Sequence, residues 1–410
     1  MKKPELLAPA GSFEKAKTAF LYGADAVYCG TGSLSLRSRA EVDNNDLAKT
    51  IEYAHSINKK VYAAINIYAL DEYYEEIKEQ ARMLNKLKVD AIIASDGGVI
   101  DVLKEYAPDV DIHISTQANT VSYHSANFWY RNGAKRVILG RELNKKQIKE
   151  IVKNKPDDLE LEIFVHGAIC FGYSGRCFLS DFLASRSANL GDCAQSCRWA
   201  YDVYVKEHNK ENGGLMPVEH DSNGTYIFSS KDLCLIREIP EIIDMGIDSL
   251  KIEGRLKTSY YLASVVNSYR NAIDDYIKSP DSYNADKYIQ ELEKTKTRSL
   301  TTFYFNDRNN KDFQEYEGKQ YNANYEFGGI VIEKQGEKAK VEIKNKLKIG
   351  DTLEIIIPNK IETKKIVIDN MWDSETGKEI NHINPGKTGQ TVLLKLAQEA
   401  KEGYILRRKK

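Results

Sequence analysis

Four cysteines, Cys170, Cys177, Cys193 and Cys197, fall within 28 residues of a 410-residue chain that has only two others, Cys29 and Cys234. Thiolates concentrated in this way bind a soft metal or an iron–sulfur cluster, pair as disulfides, or act as a redox couple. The rest of the chain reads as an intracellular protein, which disfavours a disulfide framework and favours a metal or cluster. His166 stands four residues before Cys170. It suits a proton carrier, a partner of the bound group, or a structural histidine. Elsewhere, polar residues follow short apolar runs: Asn66, Ser95-Asp96, Ser115-Thr116-Gln117, Arg141-Glu142, and Lys251, Glu253 and Arg255. Arg141, Lys251 and Arg255 are suited to a carboxylate or phosphate, which a guanidinium grips through two parallel hydrogen bonds. Glu162 and Glu253 are candidate acids or bases. The zinc-hydrolase H-E-x-x-H, the nucleophile elbow G-x-S-x-G and the P-loop are all absent from the sequence.

Positioning these residues calls for a regular scaffold, and the first 278 residues supply its pattern. Eight runs read as strands: Glu5–Ala10, Ala26–Cys29, Val61–Asn66, Ala91–Ser95, Ile112–Thr116, Arg136–Leu139, Leu161–Val165 and Ser249–Glu253. They are apolar on both faces, as buried parallel strands require, and amphipathic helical stretches follow most of them. Eight β/α units predict a TIM-like barrel, with the polar residues above gathered where the strands end. The first strand is not followed by G-x-G-x-x-G, which argues against a dinucleotide-binding open sheet. Glycines 30, 140, 167 and 254 stand just past strands, where a turn or a close approach to a ligand needs no side chain.

The pattern breaks over about residues 166–235, an insertion carrying the cysteines and, over Tyr201–Lys206 and Thr225–Ser229, the alternation of a hairpin. A polar connector at 279–324 leads to short alternating strands from Tyr325 onward, which predict a small β-barrel domain over 325–410. That domain holds 17 Lys and Arg against 13 Asp and Glu and ends Arg407-Arg408-Lys409-Lys410. Such a terminus is either a solvated tail or a contact for an RNA backbone. The net charge of −1 gives no global pull toward nucleic acid or membrane. No apolar stretch reaches spanning length, and the N-terminus lacks a signal-peptide pattern, so the expected location is the cytoplasm with no membrane partner.

The stretch from Glu162 to Ser180, EIFVHGAICFGYSGRCFLS, resembles the signature of the collagenase-like peptidase U-32 family at every fixed position. Leu6–Gly11, Gly23–Tyr28, His113–Gln117, Ser229–Leu233 and Lys251–Arg255 match as well, so the likeness covers nearly the whole chain. In length and C-terminal extension the chain is most similar to the prephenate-dependent tRNA wobble-uridine hydroxylase branch. That resemblance implies oxygen-independent hydroxylation, a [4Fe–4S] cluster, prephenate as co-substrate and tRNA as partner, with a second family protein or a redox partner as a further possibility. With that activity, the polar strand ends offer His166, Glu253 and Gln117 as catalytic residues and Arg141, Lys251, Arg255 and Asn66 as substrate-binding ones. Local spacing offers Cys170, Cys177, Cys193 and Cys197 as ligands. Resemblance to a ubiquinone-pathway member instead implies Cys234 as the fourth, and that set is preferred. The family's name implies the alternative activity, metal-dependent proteolysis. Four thiolates disfavour it, because they would fill a zinc ion's coordination and leave no place for water.

Overall fold

Eight parallel strands close into a barrel in the computed structural model, which describes residues 1–35, 41–170, 172–199, 201, 204–205, 216–217, 230–295, 298–307, 324–386, 389–396 and 400–410. They are β1 (Glu5–Pro9), β2 (Ala26–Thr31), β3 (Lys60–Ile65), β4 (Ala91–Ala94), β5 (Asp111–Ile114), β6 (Ala134–Ile138), β7 (Glu160–Ala168) and β8 (Ser249–Ile252). Each pairs with the next, and β8 also pairs with β1 to complete the cylinder. Every residue of β2 and of β4 is buried, because side chains on one face fill the barrel and those on the other meet the helices. The helices that follow the barrel strands are α1 (Phe13–Leu21), α2 (Asn44–Ser56), α3 (Tyr74–Leu87), α4 (Gly97–Tyr106), α5 (Tyr123–Arg131), α6 (Lys145–Asn154), α7 (Ile239–Asp244) and α8 (Ser259–Lys278).

The loops entering the helices carry their own start signals. The side chains of Ser12, Asp43, Asp96, Ser122, Asn144 and Thr258 each accept a backbone N–H in the first turn of the helix they precede. Asn144 and Gln147 form a complete capping box. Asp96, expected at the working end, is therefore occupied as the cap of α4.

β7 runs three residues beyond its expected end at Val165. The insertion returns to it there through a short strand, Asp232–Cys234, that lies antiparallel to its last turn, pairing Cys234 with His166 and Asp232 with Ala168. Both ends of the cysteine-bearing segment are thus fixed in the barrel wall. Leu300–Thr301 adds to the outer side of that short strand. The expected hairpin at 201–206 and 225–229 lies largely outside the described residues, as does much of the connector. Within the insertion, Tyr204–Val205 pairs with Met216–Pro217 instead of with residues 225–229.

The C-terminal region is a seven-stranded antiparallel sheet with a core of its own around Val341, Leu353, Met371 and Val392. The basic terminus behaves differently from either expectation. Ile405–Lys409 is an interior strand, flanked by Thr352–Ile356 and Tyr325–Gln335. Arg407 is fully buried and ion-paired to Glu354 at 2.6 Å and Glu291 at 2.8 Å. Arg408 pairs with Asp351 at 2.8 Å and with Glu326. Neither guanidinium is left for a phosphate.

Tyr22, just after α1, joins barrel and sheet. Its buried hydroxyl donates to the Ile356 carbonyl at 2.8 Å and accepts the Ile405 N–H at 2.9 Å. Tyr22→Phe leaves both backbone groups unpaired, so we expect a loss of about 1–3 kcal/mol, read as a lower urea midpoint. An unchanged midpoint would show that the two parts do not depend on this link.

Candidate active site

The strand ends converge on a cavity of about 140 Å³, roughly the size of an engineered protein cavity that takes up benzene. Its walls are Ala64, Ile93, Ile138, Phe164 and Tyr28. Its polar lining includes Asn66, Ser115, Thr116, Gln117, Arg141, Glu253, Lys251 and Arg255. Ser95, Asp96, Glu142, His166 and Gly167 are not part of it.

The three cations are held in different ways. Lys251 Nζ bonds Glu162 Oε1 at 2.8 Å and lies 4.4 Å from the Tyr28 ring centre. Glu162 is itself bonded to Arg136 at 3.1 Å, and Arg136 reaches Glu5 at 2.6 Å. A buried ionic ladder therefore runs from the cavity floor down the barrel. Burial alone would raise the Glu162 carboxyl, but Lys251 and Arg136 outweigh it and hold it below the ordinary value. Glu162 is thus structural support for Lys251 and not a free acid. Arg255 is only 5% exposed and donates to Ser35 Oγ at 3.3 Å. Arg141 is half-buried, donates to the Ala168 carbonyl at 2.9 Å and lies 4.7 Å from the Phe164 ring centre. Glu253 Oε2 accepts the Tyr28 hydroxyl at 2.9 Å.

Cys170, Cys177, Cys193 and Cys197 line this same cavity. Burial pushes the Cys197 thiol above its ordinary value; its charge coupling to Cys170, Cys193 and Cys177 acts the same way, and Arg198 opposes them. The segment is folded by its own side chains. Asn189, buried, accepts the Cys177 N–H at 3.1 Å and donates to the Cys177 carbonyl at 2.9 Å. Ser180 Oγ accepts the Ala194 N–H at 2.9 Å. Ser174 ties the segment to the barrel through Glu142 and Asn119. Backbone N–H groups of Leu179 and Gln195 donate to the sulfurs of Cys177 and Cys193, both at 3.4 Å.

Cys234, the fourth member of the preferred grouping, does not line this cavity. It sits in the short strand beside β7, its sulfur accepts the Tyr269 hydroxyl at 3.8 Å, and it lines a different cavity. Burial pushes its thiol up to about 11. Cys29 lies buried in β2, its thiol pushed up to about 12. Among the described residues no three His, Cys, Asp or Glu side chains converge closely enough to hold a metal ion. Four sulfur donors do share one cavity, two of them receiving N–H···S bonds, and soft sulfur is the donor type an iron–sulfur cluster takes.

His166 does not line the cavity. Glu162 and Phe164 face inward, and simple alternation would place His166 with them. The register against β8 slips here: Lys251 pairs with Phe164, but Ile252 pairs with His166. That bulge at Val165 turns His166 outward, against Tyr269 and Tyr261 of α8. Its Nδ1 lies 3.4 Å from the Tyr269 hydroxyl. Burial, with Lys257 adding, lowers its pKa from 6.5 to about 3. The unfolded chain therefore binds a proton that the folded chain refuses between those values. Stability from this residue is full above pH 6.5 and falls as the pH drops, by up to about 1.4 kcal/mol per unit. His166→Gln should flatten the pH dependence of the urea midpoint between about pH 6 and 4. An identical slope would overturn the assignment.

Sequence reasoning missed Tyr28 and Phe164, the rings against which the cations rest, and Asn189, which clamps Cys177. A tyrosine or phenylalanine within an apolar strand carries no local mark of facing a ligand. Gly167 was noted, and its role is now clear. At φ +109° an added Cβ would stand 2.5 Å from the Glu253 carbonyl oxygen, so only glycine lets β7 lie this close to the Glu253 loop.

Fold and cavity together define a β/α-barrel protein with a cation-lined, thiol-walled site at the strand ends. The chain belongs to peptidase family U32: that family's model matches residues 11–315, and the model of the family's C-terminal domain matches 323–407. It is similar to tRNA hydroxylation protein P1 of Bacillus subtilis (strain 168), 38% identical over 93% of this chain and 89% of that one. It is similar also to tRNA hydroxylation protein P of Escherichia coli (strain K12), 35% identical over 99% and 96%. An uncharacterized protease of Methanocaldococcus jannaschii is 40% identical over 98% of each chain. Among the described residues no helix is long and apolar enough to cross a membrane.

Proposed function

We propose that this chain hydroxylates RNA: specifically, that it converts the wobble uridine of tRNA to 5-hydroxyuridine without molecular oxygen, in the cytoplasm, with prephenate as co-substrate. The observation that carries the reading is the sharing of one cavity by four thiols and three cations. The relatives named for tRNA hydroxylation support the choice of RNA.

Cys170, Cys177, Cys193 and Cys197 hold a [4Fe–4S] cluster in this reading, with Cys197 in place of Cys234. A bound cluster supplies one-electron redox capacity beside the cavity. The chain's own residues do the rest. Arg141, Arg255 and Lys251 hold the carboxylates of the co-substrate. Asn66 and Gln117 offer amide groups to the edge of a base. Glu253, bonded to the Tyr28 hydroxyl, is placed to take or return a proton at the cavity wall. The apolar walls exclude water. His166 has no part in this scheme. Replacing the C5–H of the base by C–OH without molecular oxygen removes two electrons from it; the co-substrate, a redox partner or a second family member takes them up.

Iron and acid-labile sulfide analysis of anaerobically purified protein tests the cofactor, and mass spectrometry of digested tRNA from a deletion strain tests the reaction. Loss of 5-hydroxyuridine nucleosides on deletion is expected. Unchanged nucleosides, together with peptide cleavage by the metal-loaded protein, would replace this reading with the peptidase one.

A further inference from the structure

Six aromatic side chains stand out as exposed among the described residues, and five of them, Tyr173, Phe178, Phe182, Trp199 and Tyr204, belong to the segment that carries the cysteines. Phe178 and Phe182 are 72% and 85% exposed and Trp199 is 44% exposed. Rings left in water on one short segment call for an occupant. Phe178 and Phe182 are one helical turn apart, joined by the Phe182 N–H to Phe178 carbonyl bond of 2.9 Å, and so share a face. Trp199 follows the turn Ser196–Arg198, which is tied to the short helix Leu179–Ala184 by Ser196 Oγ and the Leu179 carbonyl at 3.4 Å. Phe178 adjoins Cys177, and Trp199 is two residues beyond Cys197. Both cysteines line the cavity, so the chain carries Phe178 and Trp199 next to residues of its wall, while the rings themselves are not part of the lining.

We infer that Phe178, Phe182 and Trp199 are a stacking platform for the unpaired bases that flank the reacting one in an RNA loop; this rests on the RNA reading above. A cavity that admits one ring cannot take a base still in its stack. The reacting base must turn out of the strand, and its neighbours then lose a stacking partner. Aromatic faces close by restore that contact without regard to sequence. Arg176, exposed beside Phe178, and Arg198, at the cavity wall, are not paired with a carboxylate among the described residues and suit the loop's phosphates. The platform selects single-stranded loops and leaves double-stranded RNA unbound by these rings.

The test uses full-length protein reconstituted anaerobically with its cluster, at one fixed salt concentration. Fluorescence anisotropy measures binding of a labelled anticodon stem-loop and of a blunt RNA duplex. Phe182→Ala and Trp199→Ala are each expected to weaken stem-loop binding roughly tenfold, with duplex binding and iron content unchanged. Phe182→Leu, which keeps apolar bulk and loses the ring, should behave like Phe182→Ala. Stem-loop affinity equal to wild type in both alanine variants would overturn the platform while leaving the RNA reading in place. Loss of self-association in these variants, with stem-loop affinity intact, would make the patch an interface between protein chains. If wild-type protein bound no stem-loop and its deletion left tRNA nucleosides unaltered, both readings would fall together.

Discussion

Serine at Cys197 should strip most of the iron from anaerobically purified protein and bleach its visible absorbance, whereas serine at Cys234 should leave both at wild-type levels. The two cysteines differ in surroundings, not in chemistry. Cys197 shares its cavity with Cys170, Cys177 and Cys193 and is electrostatically coupled to all three. Cys234 lies between β7 and α8, against Tyr269, with its thiol pushed up to about 11 by burial. An alkoxide is a poor substitute for a soft thiolate, so Cys170→Ser, Cys177→Ser and Cys193→Ser should resemble Cys197→Ser. Full iron in Cys197→Ser, with loss in Cys234→Ser, would restore Cys234 as the fourth ligand and require the short strand to leave β7.

Arg141→Ala should abolish wobble hydroxylation while the fold survives; Lys251→Ala should lose both. Arg141 is half-buried, and its neighbours are a carbonyl and a ring, so its removal leaves no carboxylate stranded. Its cost to stability should stay within about 1 kcal/mol. Arg141→Lys should not rescue activity, because an ammonium cannot reproduce two parallel hydrogen bonds to a carboxylate. Lys251 is an interior residue paired with a carboxylate that has no exposure to water. Its loss leaves Glu162 dependent on Arg136 alone, which already serves Glu5 and Glu160. Breaking one side of a buried pair costs on the order of 3–5 kcal/mol. Urea unfolding separates the two variants, and mass spectrometry of tRNA from complemented deletion strains reads their activity. Wild-type nucleoside levels with Arg141→Ala would remove that residue from the site. A wild-type urea midpoint for Lys251→Ala would show that the ladder does not stabilise the barrel.

The eight barrel strands were legible in the sequence because burial on both faces leaves a continuous apolar run that needs no partner to be recognised. The helical stretches after most strands were legible because their apolar period is local. The grouping of thiols was legible as a density of one residue type. What the sequence could not determine were matters of facing and of long-range pairing. The alternation that put His166 with Glu162 and Phe164 holds only until a bulge, and that bulge comes from the pairing of β7 with β8, more than eighty residues away. Where the insertion returns to the wall, and with it the surroundings of Cys234, is set by its antiparallel pairing with β7, which no local pattern shows. Arg407 and Arg408 read locally as a charged end. They became the middle of a sheet because Glu354, Glu291, Asp351 and Glu326 compensate their charge, and local sequence does not show where such distant carboxylates will meet them.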